Sequence, residues 1–237
     1  VKSEILSLQQ ADEIITYSTA LKDYILKISN TQANINIFQT LDYSRLKSIH
    51  RDDPHNKKLT IGFIGSFMPW HRVDMLIIAF NSLRKKHKNI RLLLVGSGQK
   101  FNECLSLVND LDFRDDIQFT GFADGDILNT YKSQIDIGVM PGSNWYGIPT
   151  KVFEYGACSI PSLAPNAPTI SEIFNNKHDI LLFENNNLND FTVKLEKIIT
   201  DETFRKIIAQ NLHQKILNKH TLTIAEKFYI NLFNKYL

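Results

Sequence analysis

The sequence predicts a doubly wound α/β protein, a Rossmann-like parallel sheet of about six strands with helices on both faces. Three observations carry that expectation. Six short apolar runs, over 59–65, 90–95, 116–120, 135–140, 160–164 and 180–183, alternate with helical patterns. Most of the runs are near-continuously apolar rather than apolar at every second residue, as strands buried on both faces require. Gly65, Gly96, Gly121 and Pro141 stand at or just behind the ends of the first four, where the chain must turn.

Ahead of this alternation, 3–10 reads as a helix that stops at Ala11-Asp12. Residues 13–17 (EIITY) are a short β-branched run. Ser18 or Thr19 then caps a helix to about residue 28, since a hydroxyl there can accept an orphan backbone N–H. A second short strand covers 35–38 and a small helix 43–49. The polar run HRDDPHNKK, broken by Pro54, reads as a linker over 51–58. Residues 1–50 therefore hold roughly one βαβ unit, too little to cover a sheet on both faces. Its strands are expected at an exposed edge or packed onto another chain.

Beyond the linker, 59–237 forms one unit. The helix over 73–87 places Leu76, Ile77, Phe80 and Leu83 on one face. Another runs to about 111 after Gly96-Ser97-Gly98. Asp124 is expected to cap a helix ending at Ser133 that groups Ile127, Leu128 and Tyr131. A helix opened by Pro149 follows the fourth strand, and a short one covers 169–174. From 188 the pattern is helical, over about 188–200, 202–218 and 222–236. The last of these carries Ile224, Phe228, Leu232 and Phe233 at helical spacing.

Composition bounds the function. The 237 residues are 43% hydrophobic and 22% charged, an ordinary globular balance with room for a real core. A formal net charge of +2 gives no reason to expect nucleic acid. Cys104 and Cys158 lack metal-ligand or redox spacing and read as reduced thiols of a cytoplasmic protein. No apolar run approaches the length of a membrane span.

Sheets of this class bind ligands at the carboxyl ends of their strands, and the informative residues cluster there. Gly65-Ser66 and Trp70-His71-Arg72 follow the first strand, Gly121-Phe122 the third, and Pro141 to Gly147 the fourth. The stretch YGIPTKVFEYGACSIPSLAPNAP, over 146–168, combines a turn (Gly147-Ile148-Pro149), a short helix and a buried strand. Proline is tolerated at the first helical position because its missing N–H has no partner there. Lys151 and Glu154 share one face of that helix, while Val152, Phe153, Ala157 and Cys158 can turn to a core. A helix N-terminus suits a phosphate, Lys151 adds a mobile charge, and Glu154 can accept hydrogen bonds from sugar hydroxyls. The plain alternative is an amphipathic helix with a solvated Lys–Glu pair. A dinucleotide fingerprint is excluded: Gly62 and Gly65 lie in or at the end of the strand, Met68-Pro69-Trp70 delays the helix, and Gly96-Ser97-Gly98 lacks a third glycine.

The strings IGFIGSFMPWHRVDMLIIAF, LLLVGSG, IQFTGF, YKSQIDIGVMP and GIPTKVFEYGACSIPSLAP, in this order, resemble the C-terminal domain of a GT-B glycosyltransferase. The likeness is greatest to the retaining family 4 and covers about 58–237. A weaker likeness over 4–42 is to the last βαβ piece of the family's N-terminal domain. The resemblance implies transfer of a sugar from a nucleoside-diphosphate sugar to a glycan or lipid-linked acceptor. Glu154 matches the second glutamate of the family's E-x7-E motif, which implies contact with the donor ribose. Lys151 matches the lysine of a PxKxxEY subgroup, which implies contact with the diphosphate. Gly147, Ile148, Pro149 and Thr150 would offer backbone to the phosphates or sugar, and Gly121-Phe122 would hold the base. The last helix is expected to return to the N-terminal segment.

Two departures stand out. The first glutamate of E-x7-E falls on Tyr146. The arginine and lysine common after the first strand read Ser66 and His71, and Arg72 replaces a glycine. His71 still serves in this reading and Arg72 supplies the lost charge; the alternative for Arg72 is a solvated surface side chain. Trp70 is read as a rim or interdomain contact, and His178, His213 and His220 as surface residues. No D-x-D carboxylate pair is read behind a strand, and neither a metal nor a cofactor is expected. Besides donor and acceptor, the expected partner is a further N-terminal domain or a subunit. The reading is cytoplasmic, with peripheral contact at the inner membrane face allowed. The competing class is a GT-B module that binds nucleotide or another chain without turnover, favoured by Tyr146.

Overall fold

The computed structural model describes residues 2–40, 58–109 and 111–237. The helix expected over 43–49 and the linker up to residue 57 lie outside the described residues. Elements run α1 (Lys2–Gln10), β1 (Glu13–Thr16), α2 (Thr19–Ser29), β2 (Asn34–Ile37), β3 (Leu59–Ile64), α3 (Val73–Lys86), β4 (Ile90–Val95), α4 (Phe101–Asn109) and β5 (Ile117–Gly121). They continue with α5 (Gly125–Ser133), β6 (Ile137–Val139), α6 (Thr150–Ala157), β7 (Ser162–Pro165), α7 (Pro168–Ser171), β8 (Leu181–Phe183), α8 (Leu188–Thr200), α9 (Glu202–Lys219) and α10 (Leu222–Phe233).

Strands β3 to β8 form one parallel sheet in the order β5-β4-β3-β6-β7-β8. The chain winds outward from β3 in one direction, then restarts at β6 in the other. That switch opens a crevice between β3 and β6 at their carboxyl ends. The runs are buried on both faces except at the edge strand β5, where Gln118 is exposed and Phe119 and Thr120 are half-buried because polar residues alternate with apolar ones there. Ile61, Phe63, Leu92 and Leu94 turn to one face, against Leu76, Phe80 and Leu83 of α3 and Phe191 and Leu195 of α8. Ile64, Leu93 and Val95 turn to the other, with Tyr155, Leu128 and Tyr131. Further along that face Val152 and Phe153 of α6 pack with Leu212 and Ile216 of α9.

Pairing of β3 with β6 is short, Ile61 with Ile137 and Gly62 with Gly138. Beyond it, the buried Tyr155 hydroxyl accepts from Ile64 N–H (3.0 Å) and donates to Gly62 O (3.3 Å). A tyrosine of α6 thus supplies the hydrogen bonds that a neighbouring strand would otherwise supply where the crevice opens. Gly138 makes room for it: a Cβ there would lie 2.4 Å from the Tyr155 ring.

Strands β1 and β2 form a separate two-stranded parallel sheet. Ile14 and Thr16 are buried, whereas Ile15, Tyr17 and Ile37 are exposed. The C-terminal part of the chain packs on this segment. Phe228 stacks on Phe38 (4.1 Å, 2°), Tyr236 Oη donates to Glu13 Oε1 (2.9 Å), and Thr40 Oγ1 donates to His220 O (3.0 Å).

Several local readings are corrected. Pro149 is the residue before α6, and its carbonyl accepts from Val152 and Phe153 N–H. Asp124 precedes α5 in extended conformation without a side-chain capping bond. Ile127 and Phe233 are exposed, because each sits off the stripe its helix buries. His178 is at the surface, but His213 Nδ1 meets Gly156 O (2.9 Å) and His220 Nδ1 meets Gln39 O (2.9 Å), both half-buried. Cys104 is buried and Cys158 half-buried. Among the described residues no helix is long and apolar enough to cross a membrane.

Candidate functional site

The crevice is lined by the segment behind β3, the segment behind β6 and the start of α6. Behind β3 the chain makes a 3-10 turn (Pro69–His71) that aims the His71 ring inward. His71 Nδ1 lies 2.5 Å from Ser66 O, so Nδ1 carries the hydrogen and Nε2 is left to accept. Nε2 faces Lys151 Nζ at 3.4 Å. Burial first, and then the Lys151 charge, push the imidazolium down to about 4, against the raising effect of the Ser66 carbonyl. Near neutral pH, His71 is therefore a neutral acceptor that orients the ammonium.

Lys151 comes from the first turn of α6 and lies over the Phe63 ring, 5.3 Å from its centre. Gly65 makes this approach possible. Its φ is +147°, and a Cβ would stand 3.1 Å from Lys151 Cε. Burial lowers Lys151 to about 8, with the Glu154 carboxylate pulling the other way. This is a partly desolvated cation with no carboxylate of the described residues in salt-bridge contact, an arrangement suited to receiving an anion.

Glu154, one turn further, is held differently. Its Oε2 accepts from Lys132 Nζ at 2.7 Å, and that lysine is 4% exposed. Lys132 belongs to the last turn of α5 and was absent from the expected site. The signal was there: Leu128 and Tyr131, half-buried against the core, and the buried Ile135 recur at helical spacing, and Lys132 occupies a place in their stripe.

The remaining expected residues surround this pair. Ser66 is exposed, its Oγ 3.5 Å from His71 Nδ1. Gly121 (φ +72°) ends β5, and Phe122 behind it is 75% exposed. Tyr146 is exposed, edge-on to Trp145, whose other edge meets Tyr24 of α2 (5.3 Å). Gly147 O accepts from Thr169 Oγ1 (2.8 Å), Ile148 is exposed and Pro149 buried. Thr150 N–H is given to Ile148 O (2.9 Å). Trp70 is 41% exposed at the rim, edge-on to His71.

Arg72 is neither free nor solvated alone. It has φ 48°, the left-handed conformation that glycine adopts without strain. Its guanidinium reaches Asp74 (3.2 Å) and Asn186 (3.0 Å) and lines a cleft of about 650 Å³ with Met68, Lys100 and Leu107. The Gly96-Ser97-Gly98 turn makes close backbone contacts of its own: a Cβ on Gly96 would meet Gly65 O at 2.0 Å. One D-x-D spacing passed over in the sequence, Asp124-Gly125-Asp126, opens α5. Among the described residues no three His, Cys, Asp or Glu gather as a metal site.

A family model for the group 1 glycosyl transferases matches residues 46–215. The chain belongs to that family. Similar proteins include an uncharacterised glycosyltransferase of Methanocaldococcus jannaschii, 22% identical over 97% of this chain and 62% of its own length. Another is the poly(ribitol-phosphate) α-N-acetylglucosaminyltransferase of Staphylococcus aureus, 21% identical over 98% of this chain and 46% of its own. This chain thus spans about half to two thirds of these relatives. Among solved structures, a TarM variant from S. aureus crystallised with fondaparinux, α-GlcNAc-glycerol and UDP superposes with a TM-score of 0.79 at 20% identity. It is matched over 98% of this chain and 46% of TarM. Anabaena HepE with UDP and glucose gives 0.80 at 16% identity, over 96% and 64% of the two chains. These likenesses are of fold, the GT-B fold.

Proposed function

We propose that this chain is the donor-binding part of a retaining, family 4-type glycosyltransferase that transfers a hexose-type sugar from a nucleoside-diphosphate sugar to a glycan or lipid-linked acceptor. One observation carries the reading: a half-desolvated ammonium, Lys151, and a carboxylate, Glu154, on one short helix whose start lines the switch-point crevice. Lys151 and the α6 N-terminus bind the diphosphate and take up the charge that develops as it leaves. His71 orients Lys151, and Arg72, held by Asp74 and Asn186, adds positive potential at the edge. Glu154 accepts from the ribose, Gly121-Phe122 flank the base, and Tyr146 with Gly147 to Thr150 border the sugar. Gly65 and Ser66 form the floor. No divalent metal enters this scheme.

Residues 1–50 represent the end of an acceptor-side domain and 51–58 the linker to the donor domain, 59–237. The acceptor is bound by that other domain or by a partner subunit, in the cytoplasm or at the inner membrane face. Calorimetry against UDP, GDP, ADP and their sugars tests the reading, with UDP first because TarM and HepE were crystallised with it. Micromolar to millimolar binding of one of them is expected, and binding of none refutes it. A second reading, a nucleotide-binding module without turnover, is favoured by Tyr146 at the motif's first acidic position. Sugar-dependent release of nucleoside diphosphate separates the two.

A further inference from the structure

We infer that Lys132 is a positioning residue for ribose recognition, acting through Glu154; the inference rests on the donor-binding reading above. A carboxylate on a mid-helix position has several rotamers, and a flexible acceptor loses affinity when it must be frozen by its ligand. Glu154 is 25% exposed in its side chain, so only part of it faces solvent. The Lys132 ammonium reaches its Oε2 at 2.7 Å from the core side, where Lys132 itself is 4% exposed. That contact occupies Oε2 and leaves Oε1 as the oxygen a ligand hydroxyl would meet on the partly exposed side chain. The geometry is that of a preorganised acceptor: one oxygen tied from below, one presented to a donor hydroxyl.

The placement of Lys132 in the fold strengthens the case. Helix α5 starts behind Gly121-Phe122, on the side where the base is proposed, and α6 starts on the diphosphate side. The Lys132–Glu154 bond ties these two helices to each other across the second face of the sheet. The lysine sits in an apolar stripe with Leu128, Tyr131 and Ile135. An apolar residue there would pack without the desolvation that a buried ammonium suffers. A lysine in that place is accounted for by what it does to Glu154.

The experiment compares one ribonucleotide with its 2′,3′-dideoxy counterpart by calorimetry, using whichever of UDP, GDP or ADP the wild type binds. In wild type the ribonucleotide is expected to bind roughly 10-fold or more tighter than the dideoxy form. In Lys132→Met this ratio should fall to roughly 3-fold or less, while affinity for the dideoxy nucleotide stays within about 2-fold. In Glu154→Gln the ratio should also fall, and adding Lys132→Met to it should change nothing further. A purely structural lysine would weaken both nucleotides together and leave the ratio intact, which overturns the inference. If Lys132→Met does not fold, Lys132→Gln, which keeps an N–H donor, carries the same comparison: an intermediate ratio supports it, and a wild-type ratio overturns it. Failure of wild type to bind any nucleoside diphosphate overturns the donor-binding reading itself, a result distinct from binding with an unchanged ratio.

Discussion

The two parallel sheets of this chain are built alike and buried very differently. All strands of the six-stranded sheet except the edge strand β5 are buried on both faces, and α3 alone contributes seven buried side chains. The two-stranded sheet has α1, which buries none, and α2, which buries only Ser29. The small sheet is held instead by its ends: Thr19 N–H on Glu172 (2.8 Å), Phe38 on Phe228, and Glu13 on Tyr236. Parallel strands need cover on both sides, and the cover here is far fuller in the sheet that carries the proposed donor site. The site is accordingly a property of the large sheet, and the small one is its boundary.

The largest test of this contrast removes the tyrosine that closes the gap between β3 and β6. Tyr155→Ala leaves a cavity in the buried core and an unpaired Ile64 N–H. It should lower stability by about 3–5 kcal/mol. Urea unfolding followed by fluorescence and circular dichroism measures this. A loss below about 1 kcal/mol would mean that the crevice does not depend on Tyr155. An equally conspicuous aromatic just past β1, Tyr17, is exposed, and Tyr17→Ala should be nearly silent.

Next in size is the effect of Lys151 on binding. Lys151→Ala should weaken nucleoside-diphosphate binding by about 1.5–3 kcal/mol, roughly 10- to 150-fold, since a charge-assisted bond to phosphate is lost. The melting temperature should not drop, because the alanine also relieves a desolvated ammonium. Unchanged affinity in calorimetry would remove Lys151 from the site.

Lys151 should also set the pH profile of binding. Its folded pKa, about 8, lies below the ordinary lysine value of 10.5, and the phosphate-binding form is the protonated one. Affinity should therefore be level from pH 7 toward 8 and fall as pH rises through about 8, by up to roughly tenfold per unit. The same shift works oppositely on folding. Between about 8 and 10.5 the unfolded chain holds the proton and the folded one has lost it, so this lysine's effect on stability improves as pH rises across that window. A Lys151→Met protein whose affinity still declined above pH 8 would assign the titration to another group. His71, at about 4, should contribute no step near pH 6.5.

The fold was legible because its signals are local: apolar runs, glycines behind them, and helical periods. The Lys151–Glu154 face of α6 was legible for the same reason, as both residues lie in one turn. What escaped was each residue's long-range partner. Tyr155 reads as one more helix residue until Gly138 and Gly62, distant in sequence, are seen beneath it. Isolated glycines inside two strands were the available hint of a close approach. Lys132 was hidden similarly, since a lysine near a helix end reads as a solvated charge. Its place in the stripe with Tyr131 and Ile135 is informative only once the partner carboxylate is known. Arg72 shows the converse: the sequence offered it as a free cation, and Asp74 and Asn186 have claimed it.

The smallest expected effect concerns the bond between the two sheets. Phe228 of α10 stacks on Phe38, just beyond β2, with ring centres 4.1 Å apart. Stacked aromatic pairs contribute about 0.5–1.5 kcal/mol beyond the area they bury. Phe228→Ala should therefore loosen the small sheet by about 1 kcal/mol or somewhat more while leaving the large one intact. Hydrogen exchange distinguishes these outcomes, because it reads local opening separately from global unfolding. Amides of 13–16 and 34–37 should exchange roughly fivefold faster or more, and those of β3, β4 and β6 at the wild-type rate. Nucleotide affinity should stay within about twofold, since the ring contacts of Phe228 are with Phe38 and Tyr229, outside the proposed donor site. Equal acceleration in both sheets would show that they open as one unit. The small sheet would then be part of the donor domain's own stability rather than its boundary, and the division at the linker would have to be redrawn.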